Sequence, residues 1–492
     1  MNLTINPWIP AMRSDGSRAL FSLRELFSEA HQLRDLSVKP HERIALMRLL
    51  VCITQAALDG PKDEAAWEDC EPTIQPKVAA YLEKWEGSFE LLGDGPRFLQ
   101  LPNLRPGKET DEGNASTKLD LTLATGNNPT IFDNRAPEDR LVNNTRAALN
   151  LLTFQCFSPG GRIGVALWNG QETPGRGSSG HAPCTPSSMV HSLVQGSHLL
   201  ETLRFNLLSK ETITDFYGPQ GWGSPIWELP VSSVTELAAV KNATGTYLGR
   251  LVPLSRAIRL SEDGGSVILA NGLDYPIYPI YREATAAVRK SDKELKLLPA
   301  SIGRSLWRQL SAITIKRRSD GDAVCGPIAL NHDFTSLSTT LWVGAFVTDK
   351  AKIEEVIESV YPLPSEMFSE FGRAAYERGV SFANEWEFAL KNALKEFAAT
   401  LKVVSPAYDQ ATQFFWTRLE QHLSDLFELA RNVDLVADLP ACKWGQAVKA
   451  AAQDSYEQSC ARQTPRQIEA YARGLRKLYL HPKPQPTTAA NE

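Results

Sequence analysis

Apolar positions along this chain change their period near residue 363, and the change is the first guide to its organisation. Before it, short β-type runs, Gly/Pro/Asn-rich loops and a few helical stretches alternate; from Pro364 the spacing is almost wholly helical. "SLRELFSEA" and "HERIALMRLLVCITQAAL" have the three-and-four spacing of helices, and "LTINPWIPAMRSDGSRALFSL" predicts a short hairpin around Asp15 and Gly16. "SSMVHSLVQGSHLLETLRFNLLS" reads as a helix running into a strand. "GTYLGRLVPLSRAIRL", "SVILANGLDYPIYPIY" and "REATAAVRKSDKELKLL" read as strands and connections. "LWVGAFVTDKAKIEEVIESVYPLP" predicts a strand, a turn at Thr348 to Lys350, and a helix.

In the second part Phe382, Trp386, Leu390, Ala393, Phe397 and Leu401 step by three or four, as do Phe415, Leu419, Leu423, Leu426 and Ala430. Each series lays one apolar stripe on a helix. Thr464, Pro465 and Gln467 supply an N-cap, a first-turn proline and a capping-box partner for a last helix ending near Leu480. With the stretch around "WGQAVKAAAQDSYEQ" these predict a bundle of about four helices. The expected class is α+β: a large N-terminal mixed α/β domain (1–363), a C-terminal four-helix bundle (364–482) and a disordered tail (483–492).

Between Asn103 and Gly180 lie long polar segments with little periodicity: "GKETDEGNAS", "GNNPTIFDNRA", and "NGQETPGRGSSGHAP" running just past that boundary. Long structureless loops in a compact domain are usually functional or disordered. At 492 residues the chain exceeds the roughly 250 to 300 at which a single core stops growing, so more than one folding unit is expected. No apolar run approaches the ~18 residues of a membrane span, and "MNLTINPWIP" reads as neither secretory signal nor anchor, so a cytoplasmic protein is expected. Seven cysteines without a CxxC pair argue against a disulfide framework or a paired-thiolate zinc site; they are expected to be reduced and mostly buried. With a net charge of −5 the field of the whole protein does not attract nucleic acid, so such a partner requires local basic patches.

"GRGSSG" matches GxGxxG at Gly175, Gly177 and Gly180, but "NGQETP" before it and "HAPCTP" after it are not the strand and helix that dinucleotide binding requires. A nucleic-acid-contacting loop and a plain surface linker stay open for it, because small residues let backbone come close to a phosphate or a groove edge. His181, Cys184, His191 and His198 have no common zinc spacing, and the His-Asp pair of "NHDF" stands without further clustered histidines, so no metal is expected. There is no GxSxG elbow, no GxxxxGK[ST] loop and no evident Cys/His pair, and the carboxylates of "WEDCEP" read as a solvated acidic face. The sequence proposes no catalyst. Basic clusters stand out instead: Arg289, Lys290, Lys293 and Lys296 around a turn, Lys316 to Arg318 after the alternating "AITI", and Arg462, Arg466, Arg473, Arg476 and Lys477 on the last helix. In an otherwise acidic chain they favour nucleic acid, whose phosphates release counterions when neutralised.

The order of landmarks resembles, nearly end to end, the CasA family, the large subunit of the type I-E CRISPR surveillance complex Cascade. "NLTINPWIP" with "SLRELF", the "RIALMRLLVCI" helix, "GNNPTIFDN", the glycine loop before "TPSSMVHSLVQG", "SPIWE", "YLGRLVPLSRAIRL" and the helical tail carry the resemblance. It implies an N-terminal domain of unusual topology ahead of the bundle, and a ribonucleoprotein subunit with no reaction and no cofactor of its own. Implied too is recognition of the protospacer-adjacent motif in double-stranded DNA, chiefly from the minor groove, with local duplex opening for R-loop formation and docking of a separate helicase-nuclease. The alternative is a purely architectural ribonucleoprotein subunit.

By the same resemblance, Asn128, Ile131, Phe132 and Asp133 belong to a loop that reaches the neighbouring backbone subunit and the 5′ handle of the crRNA, where the handle-binding and small subunits are further partners. Gly177, Ser178, Ser179 and Gly180 would enter the minor groove, Arg289 or Lys290 takes the place of a minor-groove lysine, and Thr348, Asp349 and Lys350 match a strand-separating wedge. The wedge is glutamine-tipped in the family pattern; here Asp349 and Lys350 stand at the tip, and phosphate repels a carboxylate, which favours Lys350 as the inserted group. A zinc-binding Cys cluster found in some relatives and a fused nuclease are both absent from this sequence.

Overall fold

In the computed structural model, Gly16 takes φ +86° and Asp15 Oδ1 accepts from Ser17 N at 2.8 Å, which turns the chain back on itself where the hairpin is expected. The turn joins β1 (Ile9–Arg13) to β2 (Arg18–Phe21), from Ile9↔Phe21 to Met12↔Arg18. A capping box between Ser22 and Glu25 then starts α1 (Leu23–Glu29), and β3 (Leu33–Leu36) returns to pair with β1. The structure describes residues 1–93, 95–107, 113–123, 142–158, 163–173, 188–233, 236–273, 275, 283–291, 294–316, 324–334, 339–349, 352–403 and 406–480.

Helix α2 (Pro40–Leu58) is the "HERIALMRLLVCITQAAL" helix, and every residue from Ile44 to Gln55 is buried. A helix apolar on all sides belongs at the centre of a domain. After it come α3 (Glu64–Asp69), α4 (Glu71–Lys84), β4 (Leu104–Pro106), β5 (Asn114–Ala115), α5 (Asn144–Phe157), β6 (Ala166–Trp168), β7 (Gln171–Glu172) and β8 (Val190–Gln195). Next are α6 (Leu199–Phe205), α7 (Lys210–Tyr217), α8 (Leu237–Gly245), α9 (Tyr247–Leu251), β9 (Arg256–Leu260), β10 (Ser266–Asn271), β11 (Val288–Ser291), β12 (Glu294–Leu297), α10 (Leu310–Thr314), β13 (Val324–Cys325), β14 (Thr339–Asp349) and β15 (Lys352–Leu363). Among the described residues these strands form small three-stranded sheets ordered β2-β1-β3, β5-β10-β9, β12-β11-β13, β15-β14-β8 and β4-β6-β7.

Several expectations are corrected here. "VHSLVQGSHLLETLRF" is a strand followed by a helix, the reverse of the expected order. β8 is buried along nearly its whole length, so no alternation marks it, and His198 accepts from Glu201 N at 3.1 Å to cap α6. "KIEEVIESVYPL" is strand β15, not a helix: Ile353, Val356, Ile357 and Val360 have helical spacing, but β-branched residues suit a strand and β14 offers its edge two residues earlier. "YLGRL" is helix α9, capped by Thr246, and the "AITI" alternation lies largely in α10.

The described residues divide into two compact units, one within Met1–Ile302, Ile315–His332 and Thr339–Tyr361, the other within Gly303–Thr314, Asp333–Ser338 and Pro362–Glu492. In the second unit α11 (Glu370–Leu401), α12 (Tyr408–Glu420), α13 (Leu423–Arg431), α14 (Lys443–Ser459) and α15 (Pro465–Leu480) follow one another. The Phe415-to-Ala430 series therefore spans two helices, since a turn at Gln421 and His422 interrupts the helix while the apolar rhythm continues. Gln467 N donates to Thr464 Oγ1 and Thr464 N to Gln467 Oε1, the expected start of the last helix. Trp307 lies in this unit's core, its ring 5.6 Å from Trp416 and 6.1 Å from Trp444. No helix among the described residues is long and apolar enough to cross a membrane.

His41 in the first turn of α2 is 2% exposed, its ring 5.3 Å from Phe346, and burial lowers its pKa from 6.5 to about 4. The unfolded chain then binds a proton that the folded one refuses, so stability is complete above about pH 6.5 and falls as the pH drops toward 4, by on the order of 3 kcal/mol. Replacing His41 with Phe is expected to remove that part of the pH dependence, which urea unfolding of both proteins between pH 4 and 7 measures.

Candidate functional site

Strands β8 and β14 run antiparallel from Gln195↔Thr340 to Val190↔Ala345. Two residues before β8, Ser188 takes φ +55°, a left-handed conformation seldom used by serine. The ladder stops there and the side chain takes over: Ser188 Oγ donates to Thr348 O at 3.2 Å and accepts from Thr348 N at 3.0 Å. On its other side the same segment meets the chain after β12. Ala300 N donates to Ser188 O at 2.9 Å, Val190 N to Leu298 O at 3.2 Å, and Met189 bridges Pro299.

The basic hairpin β11–β12 thus starts and ends against β8, because Ala286 bridges His191 and Ser192 N donates to Thr285 O at 2.9 Å. Within it Arg289 pairs with Lys296 and Lys290 with Leu295, while Arg289 also faces Val324 of β13. Lys296 is exposed; Arg289 and Lys290 are described by backbone alone. Thr348 and Asp349 are the last residues of β14, and Lys350 lies outside the described residues, as do Gly177, Ser178, Ser179 and Gly180. The basic hairpin and the end of β14 therefore share one short anchor, Ser188 to His191.

Behind this anchor lies a buried charge cluster. Arg48 of α2 donates to Glu283 Oε1 at 2.6 Å and to the carbonyls of Leu251 and Arg250, and Arg250 Nε is 3.7 Å from Glu283 Oε2. Burial alone would push the Glu283 carboxyl up, but the facing Arg48 and Arg250 guanidiniums reverse this and hold it below its ordinary value. Glu283 opens the segment that becomes β11, so the basic hairpin is rooted on α2.

The loop expected to meet the crRNA handle, with Asn128, Ile131, Phe132 and Asp133, lies outside the described residues, but both chain ends beside it are pinned. Arg146, four residues inside the far end, meets Glu42 at 2.6 Å and Asp120 at 3.1 Å, and Lys39 donates to Thr122 Oγ1 at 2.9 Å. Burial opposes the Asp120 charge, and hydrogen bonds from Thr122 with the nearby Lys39 and Arg146 overcome it, so the carboxyl stays below its usual range. A groove of about 580 Å³ opens here, with Arg18, Lys39, Arg43 and Arg146 among its lining residues.

Of the candidate histidines, His191 and His332 have structural partners and His181 lies outside the described residues: His191 Nδ1 is 2.8 Å from Thr285 Oγ1, and His332 bridges Glu64 and Leu207 O with its ring stacked 3.8 Å from Trp67. No group of three metal-binding side chains occurs among the described residues. Sequence reasoning missed Ser188, Arg48 and Glu283. For Arg48 a signal existed, a lone charge inside the apolar "IALMRLLVCI" run; Ser188 looked like any loop serine.

The sequence model described as CRISPR-associated protein Cse1 matches residues 2–455. A CRISPR-associated protein CasA/Cse1 of Thermus thermophilus is 29% identical over 419 residues, 81% of this chain and 78% of that protein. Among solved structures, Thermus thermophilus CasA is similar with a TM-score of 0.76 at 23% identity, over 97% of this chain and 98% of that one. Thermobifida fusca Cse1 reaches 0.78 at 21% identity, over 97% and 96%. A chain of a CRISPR RNA-guided surveillance complex reaches 0.74 at 19% identity, over 97% and 99%.

Removing the Glu283 carboxylate takes its counter-charge from two buried guanidiniums. Glu283→Gln is expected to cost roughly 3 to 5 kcal/mol in urea unfolding, the range for breaking a buried ion pair from one side. A cost under about 1 kcal/mol would show that the cluster does not hold this region.

Proposed function

The chain belongs to the CRISPR-associated protein Cse1 family, and from that premise we propose that it is the non-catalytic large subunit of a type I-E crRNA-guided surveillance complex. Its task is to recognise the protospacer-adjacent motif in double-stranded DNA, to promote local opening for R-loop formation, and to help recruit a helicase-nuclease. The fold shared with a chain of a CRISPR RNA-guided surveillance complex supports membership of such an assembly, alongside the crRNA 5′ handle and the backbone, handle-binding and small subunits.

The observation that carries the motif-reading part is the shared anchor of Ser188 to His191. Two segments that sequence reasoning assigned to DNA meet at it, the Arg289–Lys290 hairpin and the end of β14 at Thr348 and Asp349, and the glycine loop ends eight residues before it in the sequence. A small-residue loop lets backbone approach base edges in the minor groove, which separates A·T from G·C but little else, so reading by this route is permissive. Cations at the hairpin add salt-dependent attraction to phosphate. Contacts to the motif then offset the few kcal/mol needed to unstack one base step, after which guide pairing carries the specificity. The step needs no metal, cofactor or nucleotide.

Binding of the assembled complex to duplexes that differ only in the motif tests this reading, and equal binding to all would leave an architectural subunit. Gly177→Asp and Lys350→Ala are expected to weaken capture of motif-bearing duplex by about tenfold or more at near-physiological salt, the scale of one lost close contact. Phe132→Ala is expected to lower the yield of this subunit in the purified complex. Normal co-purification would remove Phe132 from the assembly contact.

A further inference from the structure

We propose that the groove between the β2-β1-β3 sheet and the first turn of α2 holds one unpaired nucleotide of an RNA strand, its base on an apolar floor and its phosphate on a cationic rim. The inference rests on the guide-bound role proposed above and adds a seat for the guide on this chain. Along β1, Ile9 and Ala11 are fully buried, so Pro10 and Met12 point to the other face of the sheet. Met12 stands opposite Arg18 of β2 and Asp35 of β3, and Pro10 opposite Leu20, so these five share that face. Pro10 and Met12, with Val38 and Leu149, give the groove its apolar lining, and Leu20, 46% exposed, extends it along the sheet.

The charges at the opening are not balanced. Arg18, Lys39, Arg43 and Arg146 line the groove against two carboxylates, Asp35 and Glu42. Asp35 is taken by Arg43, and Glu42 by Arg146 at 2.6 Å, which leaves Arg18 and Lys39. Both are exposed, and neither forms a salt bridge among the described residues; the Lys39 ammonium donates to Thr122 Oγ1 at 2.9 Å. An anion with an apolar end suits such a place. A nucleotide has both parts, a base with apolar faces and a phosphate that releases counterions when Arg or Lys meets it. The volume of about 580 Å³ falls within the roughly 300 to 1,000 Å³ of sites that take small molecules. Bases of a duplex are stacked on both faces, whereas an unpaired one is free to lie on the floor, and Ser37 at the lining offers a hydroxyl to a ribose 2′-OH. Position favours RNA over an acidic protein segment: Thr122 and Arg146, which flank the loop assigned to the guide handle in the sequence, stand at this rim.

The test titrates a guide-loaded complex lacking this subunit with the full chain, as wild type, as Lys39→Gln, and as Arg18→Gln combined with Lys39→Gln. Each guide carries one uncharged methylphosphonate linkage or one abasic residue, walked through its unpaired 5′ end. The double variant is expected to bind about tenfold more weakly and to lower the slope of log affinity against log salt by about 0.7 to 1.4, the share of one or two single-strand phosphates. Lys39→Gln alone is expected to lose about threefold, with the same dependence on linkage. At one position the methylphosphonate is expected to weaken wild type as much and the double variant no further, because both changes remove the same contact. An abasic residue beside that linkage is expected to weaken wild type several-fold.

Wild-type affinity in the double variant overturns the proposal. So does a loss that adds to every methylphosphonate, which would give the groove an acidic protein partner, and so does indifference to every abasic residue, which would leave a bare phosphate site. If the wild-type chain does not join the complex at all, the role proposed above fails. The full chain is then titrated with a single-stranded RNA hexanucleotide: weaker binding by the double variant retains the groove, and equal binding overturns it.

Discussion

A helix buried on every face can carry a charge only where a partner meets it inside, and α2 carries several. From this one constraint much of the first unit follows. Arg48 is met by Glu283 and by two backbone carbonyls, which fixes the start of the segment leading to the basic hairpin. Glu42 is met by Arg146, which fixes one end of the loop assigned to the crRNA handle. Arg43 pairs with Asp35 and lies over the Trp342 ring of β14 at 5.7 Å, which ties the middle strand of that sheet to the same helix. Each partner comes from a different part of the chain, and a missing one would leave a desolvated charge.

Strand β14 is the second organising element. It sits between β8 and β15, and its Gly344 has no room for a side chain because a Cβ there would come within 2.2 Å of the Trp342 ring. Trp342 in turn donates to Glu358 of β15 at 2.5 Å, so the two strands are fastened by a side chain as well as by their ladder. The far end of this strand is the turn assigned to duplex opening. The end of β14 itself is held at both edges, by β15 on one and by Ser188 on the other.

Much of this was legible in the sequence wherever local signals agree with the final structure. Asp15–Gly16 and Thr464 with Pro465 and Gln467 make a turn and a cap whose chemistry is complete within a few residues. β15 was not legible, because Ile353, Val356, Ile357 and Val360 fit a helix as well as a strand and only the neighbouring edge of β14 decides between them. β8 failed for the opposite reason: with both faces covered, its adjacent polar residues His191 and Ser192 are buried like their apolar neighbours and no period of two shows. The site divides in the same way. Residues such as Arg289 and Lys290 announce themselves by charge, whereas Ser188 acquires its role from a partner 160 positions away.

That distance bears on how recognition can do work. Minor-groove reading by small residues distinguishes few sequences, so a motif read in this manner gains selectivity only if its contact energy is converted into opening and not spread over loop motion. Conversion requires a stiff path from the reading element to the opening element. Ser188 supplies stiffness where it stands: buried, and held by Thr348 on one side and by Ala300 on the other, it locks the start of the β8 segment to the end of a central strand as a packed core does. On the function proposed above, a permissive reader and this rigid anchor are complementary: the first would tolerate sequence variation in the groove, and the second would keep the end of β14 and the basic hairpin in one fixed relation.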